Sequence, residues 1–250
     1  MIKVSAYILT KNEEFNIKEC IKSINWVDEI VIIDDFSTDG TLKIVKKMDC
    51  RIIQNKFEYF SKQRNFALSQ CSHEWVICLD ADERVSVQLR LEIEHELQSF
   101  PKSNYYVAPR KSKFINKWVL HSGWYPDFRH PIFFNKNKMK YKDQFVHERI
   151  DYKGKKMHFT GDIIHYPYYS IKHFVRKSDF YTELSSKEMF QKGKKFTIAN
   201  LFVDPFVMFI KMFFVKKGFL DGLTGLILAL LYSSFYTLMK YIKLWELEKK

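Results

Sequence analysis

Residues 75–83 read Trp75-Val76-Ile77-Cys78-Leu79-Asp80-Ala81-Asp82-Glu83: an apolar run that ends abruptly in acidic side chains. A continuous apolar run of this length, closed by a polar break, predicts a strand covered on both faces. The same signature recurs toward the N-terminus, at 2–9 (IKVSAYIL), 29–34 (EIVIID) and, in shorter form, 51–54 (RIIQ). Between these runs, 13–25, the stretch from Asp39 to about Lys47, 60–71 and 86–99 carry helical patterning. Strand–helix alternation repeated this way predicts an α/β fold. Its sheet is mainly parallel, its crossovers are right-handed, and its ligand crevice lies at the carboxyl ends of the strands.

Beyond residue 100 the pattern changes. The runs YYVAPR, KWVL, PIFFN and QFVHERI in 104–150 are short and broken by Asn, Pro and Gly, and they predict mixed or antiparallel strands that extend the sheet. A further strand is expected at 162–166. From about 170 the chain reads as helix, over 170–192, 197–216 and 219–245. Residues 222–239 carry no charge across 18 residues, the lower limit for a membrane span, but Ser233, Ser234 and Thr237 dilute them. The preceding stretch mixes Phe with Lys. Together the two resemble amphipathic helices lying in a membrane interface, with a buried core helix and a true span as the alternatives. The expected organisation is therefore an α/β part at 1–168, whose pattern changes near residue 100, and a helical, membrane-contacting appendage at 169–250.

Charge divides along the same line. Residues 1–100 hold 13 Lys and Arg against 17 Asp and Glu; the rest of the chain holds 28 against 12, so all of the net +12 arises after residue 100. A basic, aromatic-rich surface suits an anionic membrane, a phosphorylated sugar or single-stranded nucleic acid. No recognised nucleic-acid-binding motif accompanies it. The four Cys form no CxxC pair and read as reduced thiols, which points away from a disulfide scaffold and a structural zinc site. The opening MIKVSAYILT lacks a basic region followed by a long apolar one, so export is not expected.

Three strand ends carry polar chemistry. Asp80 and Asp82 are hard oxygen donors of the kind that hold Mg²⁺ or Mn²⁺ against phosphate oxygens, although an acidic turn capping the next helix has the same appearance. Asp34 and Asp35 end the second strand, where a carboxylate can accept hydrogen bonds from a base or a ribose. Asp39 in the following Ser-Thr-Asp-Gly-Thr turn reads as a helix cap. Thr10-Lys11-Asn12-Glu13 ends the first strand at the same rim.

With T-K-N-E, D-D-x-S-T-D-G-T and D-A-D-E at successive strand ends, the chain resembles a family 2 inverting glycosyltransferase of GT-A fold: a Rossmann-like, nucleotide-sugar-binding mixed sheet flanked by helices. The motifs His121-Ser122-Gly123-Trp124-Tyr125-Pro126-Asp127, Phe145-Val146-His147-Glu148 and Gly218-Phe219-Leu220-Asp221-Gly222 are similar to the bacterial branch that glucosylates the lipopolysaccharide inner core. One departure stands out: after Asp127 that branch reads Arg-Leu-Phe-Arg, whereas here Phe128-Arg129-His130-Pro131 lacks the second basic residue.

The resemblance makes 1–168 the glycosyltransferase domain, with a nucleotide-binding half at 1–100 and an acceptor-binding and catalytic half at 101–168, and it implies that Thr10, Asn12 and Glu13 line the nucleotide rim and that Asp35 reads uracil. It implies that Arg64 lies near base and phosphates, Asp80 contacts ribose or metal, and Asp82 binds the metal. His165 is a candidate third metal ligand, though a lone His is more often a core residue. Inverting transfer needs a carboxylate to deprotonate the attacking hydroxyl; Glu148 is the first candidate and Asp127 the second. The implied substrates are a UDP-sugar, UDP-glucose foremost, and a membrane-held glycolipid. The implied location is the inner face of the cytoplasmic membrane. A polyprenyl-linked or capsule acceptor, a basic nucleic-acid-binding module and an inactive scaffold of the same fold are the alternatives.

Overall fold

The computed structural model describes residues 2–128, 131–142, 150–152 and 154–250. Packing divides the chain into two units, Met1–Arg110 with Asp127–His165, and Lys111–Pro126 with Tyr166–Lys250.

The first unit begins with β1 (Val4–Thr10), α1 (Ile17–Ser23), β2 (Glu29–Asp34), α2 (Thr41–Val45), β3 (Arg51–Gln54), α3 (Phe60–Gln70) and β4 (Trp75–Asp80). β5 (Glu83–Val85), α4 (Val87–Ser99) and β6 (Tyr105–Val107) follow. β7 (Arg110–Phe114) and β8 (Lys117–Val119) form a hairpin; β9 (Pro131–Asn135), β10 (Met139–Tyr141), β11 (Ile150–Tyr152), β12 (Lys156–His158) and β13 (Ile163–Tyr168) complete the strands. The principal sheet has seven strands in the order β12-β6-β9-β4-β1-β2-β3. β1 pairs in parallel with both β2 and β4, and β2 with β3, while β9 runs antiparallel to β4 and β6. This is the mixed α/β sheet with flanking helices that the sequence predicts.

Alternation within the central strands explains why both faces are covered. Ala6, Ile8, Ile30, Ile32, Ile77 and Leu79 point to one side, where α1 contributes Ile17, Cys20 and Ile21 and α4 contributes Leu89, Ile93 and Leu97. Tyr7, Val31, Ile33, Val76 and Cys78 point to the other, onto Ala67 and Leu68 of α3 and onto Met139 and Tyr141 of β10. A strand with helices on both faces has no solvent side, hence the unbroken apolar runs. The α4 start is set by Ser86, whose Oγ accepts the Leu89 N–H at 3.2 Å.

Several boundaries differ from the sequence reading. The first helix starts at Ile17 rather than 13, because Glu13 O accepts the N–H groups of Asn16 and Ile17, both at 2.9 Å, in a tight turn. The run KWVL does not extend the principal sheet; it pairs with Arg110–Phe114 alone. The segment 111–126, grouped by sequence with the 101–168 half, packs in the second unit because Phe114 and Val119 enter its core. Of QFVHERI only Ile150 is described.

The second unit consists of that hairpin, the end of β13, and helices. These are α5 (Ile171–Gln191), α6 (Ala199–Ile210), α7 (Gly222–Leu230) and α8 (Leu238–Lys249), with π-helical turns at Lys211–Val215 and Leu231–Thr237 and a 3₁₀ turn at Gly218–Asp221. Phe114, Val119, Tyr168, Phe174, Met212, Leu228 and Ala229 form its core. The run Gly218–Lys249 is the one helix among the described residues long and apolar enough to cross a membrane by length and composition.

Candidate active site

The chain leaves β1 toward β2 and β3 on one side and returns to β4 on the other, so the sheet's switch point lies between β1 and β4. Crevices at such points are where doubly wound sheets bind ligands. Register brings the polar strand ends together there: Thr10 lies opposite Asp34, and Leu9 lies opposite Asp80. The loops continue the pairing, with the Asp35 N–H donating to Thr10 O at 3.0 Å and the Ala81 N–H to Leu9 O at 3.1 Å.

The rim on the β2 side is a network of turns. Asp34 is fully buried and accepts from the Ser37 N–H at 3.0 Å and the Gln54 Nε2 at 3.1 Å, so it shapes the turn rather than facing a ligand. Asp35 accepts the Phe57 N–H at 3.0 Å and pairs with Lys11 Nζ at 2.5 Å. Asn12 adopts the left-handed conformation (φ 54°), and its Oδ1 accepts the Thr38 N–H at 2.7 Å. The Glu13 N–H donates to Thr41 Oγ1 at 2.9 Å, and the Glu13 carboxylate accepts from Asn16 Nδ2 at 2.8 Å. Asn12 and Glu13 therefore tie the first rim to the second. Asp39 accepts the Thr41 N–H at 2.9 Å, but it stands one residue before the cap position, which Gly40 occupies, so it is not the helix cap that the sequence suggests. Thr10 Oγ1 is buried at this rim without a hydrogen-bond partner.

The β4 side holds the carboxylates. Arg64, reaching from α3, is buried and bonds both Asp80 oxygens through Nη2, at 3.0 and 3.2 Å. Arg64 thus orients Asp80. Asp82 is buried, and its Oδ1 lies 3.7 Å from His165 Nε2. The pairing of β13 with β5, with His165 opposite Glu83, brings that imidazole to the motif.

Glu83 and Arg110 were assigned no part from sequence, yet they build the site. Glu83 Oε2 accepts the Asp80 N–H at 3.0 Å, and Oε1 lies 2.7 Å from Arg110 Nη2. Arg110 in turn stands 3.9 Å from the Asp127 carboxylate, and its N–H donates to Asp127 O at 3.0 Å. Burial pushes the Glu83 carboxyl up to about 7; Arg110 pulls it down, while Asp80 and Asp82 add to the rise. Burial also works against the Arg110 charge, but Glu83 first and then Asp127, Asp80 and Asp82 outweigh it and hold Arg110 above its ordinary value. The signal for Glu83 was present as the fourth residue of D-A-D-E. Arg110 gave none, since only the fold brings it back to β4.

The site therefore unites Thr10, Asp35, Arg64, Asp80, Asp82, Asp127 and His165 in one unit, with Asn12 and Glu13 serving its loops. Glu148 lies outside the described residues. Among the described residues no three His, Cys, Asp or Glu side chains gather as a ready metal cage. The donor chemistry nevertheless fits a divalent ion. Asp80 and Asp82 are hard oxygen donors, and His165 is a nitrogen donor beside Asp82. Mg²⁺ typically takes only one or two carboxylates and completes its shell with phosphate oxygens and water.

The model of the family described as glycosyl transferase family 2 matches residues 5–154. An uncharacterised glycosyltransferase of Rickettsia typhi is 31% identical over all of this chain and 89% of its own length. The lipopolysaccharide core biosynthesis glycosyltransferase LpsC of Rhizobium meliloti is 29% identical over 92% of this chain and 90% of its own. Among solved structures, S. aureus TarS 1–349 in complex with UDP aligns over 99% of this chain and 92% of that one, at 15% identity and a TM-score of 0.49.

Proposed function

Since the chain belongs to glycosyl transferase family 2, we propose that it is an inverting, metal-dependent hexosyltransferase that uses a UDP-sugar, UDP-glucose foremost, and acts on a membrane-held glycolipid of the lipopolysaccharide-core type. The observation that carries the reading is the convergence of Thr10, Asp35 and the Asp80–Asp82 pair at the switch point between β1 and β4. The similarity to LpsC supports the acceptor class.

In this reading Asp35 takes the base and Asp80, steered by Arg64, takes the ribose. Asp82, with Asp80 and His165 beside it, would hold a divalent cation, whose charge offsets that of the departing diphosphate. The acceptor hydroxyl attacks the anomeric carbon from the face opposite the leaving group. Glu148 removes its proton, a role that rests on its place after the run QFV-His147. Asp127 is the alternative base. Its pairing with buried Arg110 favours a positioning part for it. The basic, Phe-rich C-terminal unit keeps the enzyme at the inner face of the cytoplasmic membrane, where a lipid-linked acceptor is found.

The test is titration with UDP-glucose, UDP-galactose and UDP-N-acetylglucosamine, with and without Mn²⁺, beside Asp82→Ala. Metal-dependent binding of one donor, lost in the variant, is expected. Binding of no nucleotide sugar under any of these conditions overturns the reading. For the base, Glu148→Gln should keep donor binding and lose transfer by at least about a hundredfold. If Asp127→Asn alone has that effect, the roles are exchanged.

A further inference from the structure

The second unit exposes an apolar face that its own fold does not cover. α6 buries none of its residues. Ile198, Phe202 and Phe206 recur at four-residue spacing on one side of it, and Phe202 is 71% exposed. The face continues past the helix through Val215, Leu220 and Leu223, the last 72% exposed. Exposed Lys192, Lys194, Lys195, Lys211, Lys216 and Lys217 flank it, and between residues 192 and 217 the single acidic residue is Asp204. Apolar aromatics bordered by Lys are the composition of a helix lying in an anionic lipid interface. The same Lys border would meet its own charge in a second copy of the chain.

The long helix that follows lies on a membrane better than it crosses one. A span needs lipid around about 20 consecutive residues. Here Leu228, Ala229 and Leu244 are fully buried. Tyr232 bonds its hydroxyl to that of Tyr168 at 3.2 Å, and Lys243 pairs with Asp179 at 2.7 Å. One side of the helix is thus committed to its own unit along its length.

The inner side of the exposed turn carries the two motifs that the donor site leaves unused, His121-Ser122-Gly123 and Gly218-Phe219-Leu220-Asp221. The Asp221 side chain, 6% exposed, accepts the N–H groups of Leu120 at 3.2 Å and His121 at 3.0 Å. It also lies 3.0 Å from His121 Nδ1. The Ser122 N–H donates to Lys216 O at 2.8 Å. The same short segment therefore exposes Val215 and Leu220 outward and holds residues 120–122 inward. Those residues begin the loop that leads in the chain to Asp127.

We propose that the face from Ile198 to Leu223 seats in the plane of an anionic bilayer, and that the seated segment holds the 120–122 loop in place through Asp221 and the Lys216 carbonyl. This deepens the membrane part of the proposed function and rests on that part alone.

The test uses the full chain and needs neither donor nor acceptor. Vesicles of phosphatidylcholine with phosphatidylglycerol are compared with vesicles of phosphatidylcholine alone. Flotation with the anionic vesicles is expected, weakened at least about tenfold without phosphatidylglycerol or at high salt. Phe202→Ser with Phe206→Ser changes exposed side chains, so circular dichroism should match the parent while flotation falls at least about tenfold. Hydrogen exchange then reads the coupling: anionic vesicles should slow exchange of the Leu120, His121 and Ser122 amides. In Asp221→Asn flotation should persist while the slowing at Leu120 and His121 is lost. Absence of flotation overturns the proposal. So does a Phe pair that converts a dimer to monomer without changing flotation, which would assign the face to a second copy. Exchange at 120–122 that ignores bound vesicles overturns the coupling. Donor titration fails or succeeds independently of all these outcomes.

Discussion

Asp82 and Arg64 act on the same motif by different routes, and substitution should separate them. Asp82→Asn neutralises a buried carboxylate beside His165 at nearly unchanged size, so thermal stability should change little while transfer falls by at least about a hundredfold. Arg64→Ala leaves Asp80 without its two hydrogen bonds and should cost about 1–3 kcal/mol of stability as well as donor affinity. Arg64→Lys, which keeps the charge and loses the fork, should recover stability better than affinity; unfolding midpoints and donor titration read both. Away from the site, Glu29 offers a pH signature. Burial raises its carboxyl, but the Ser5 hydroxyl, the Ser72 N–H and hydroxyl, and Arg51 outweigh that and bring it down to about 2. A carboxylate lowered on folding contributes stability above its unfolded value. That stability is lost as pH falls from about 4.5 to about 2. Glu29→Gln should therefore cost about 1–2 kcal/mol at neutral pH, after allowance for solvent screening, and flatten the acid limb of urea-melt stability over that window. The two parts of the site were unequally legible. Asp80 and Asp82 announce themselves, because a strand ending in acids is a local pattern. Arg64 could be placed near the site by its motif, but its bond to Asp80 is tertiary. Arg110 sits thirty residues beyond Asp80, at the end of the strand-like run YYVAPR, where nothing local marks it as part of the site.

Elements were legible where their whole face is buried and obscure where pairing decides. β1, β2 and β4 and the helices between them follow from apolar runs and 3.6-residue spacing. β5, of three residues, has no pattern of its own and exists because β13 pairs with it. The same reason moved KWVL out of the principal sheet: three residues adopt whichever partner the chain brings, and here a hairpin supplies it. One close approach locks this part of the first unit. A Cβ on Gly161 would stand 2.3 Å from Leu89 N and 2.5 Å from its Cα. Both atoms belong to the backbone of α4, which has no room to yield. Glu92 fastens the same junction by accepting the Thr160 N–H at 2.9 Å. Gly161→Ala should lower stability by about 2–3 kcal/mol. Glu92→Gln, which keeps an acceptor, should cost less than about 1 kcal/mol. Chemical denaturation of the two variants orders them, and the reverse order would mean that the helix junction is held by Glu92 rather than by fit.

Charge sorts by packing unit as well as by position in the chain, though with a smaller contrast. The second unit holds 17 Lys and Arg against 7 Asp and Glu, a net of +10, and the first holds 24 against 22, a net of +2. The sequence shows the asymmetry but places its boundary at residue 100. The hairpin segment 111–126 carries Lys111, Lys113 and Lys117 and no acid, and it joins the helical unit through the burial of Phe114 and Val119 and the hydrogen bonds of residues 120–122 to Asp221 and Lys216. The described residues of the proposed donor site lie within the near-neutral unit, so under the proposed function the two substrates should respond differently to salt. At about 0.15 M ionic strength the Debye length is near 8 Å. Exposed Lys side chains then lose most of their reach toward an anionic surface, whereas the part-buried contact of Arg64 with Asp80 is screened less. Raising salt from low to physiological strength and beyond should therefore raise the apparent KM for a vesicle-held acceptor severalfold. The KM for the donor, measured by its slow hydrolysis in the absence of acceptor, should stay within about twofold over the same range. Parallel loss of both would place the dominant electrostatics at the donor site, and the +10 of the helical unit would then be a solvated surface with no part in bringing acceptor and enzyme together.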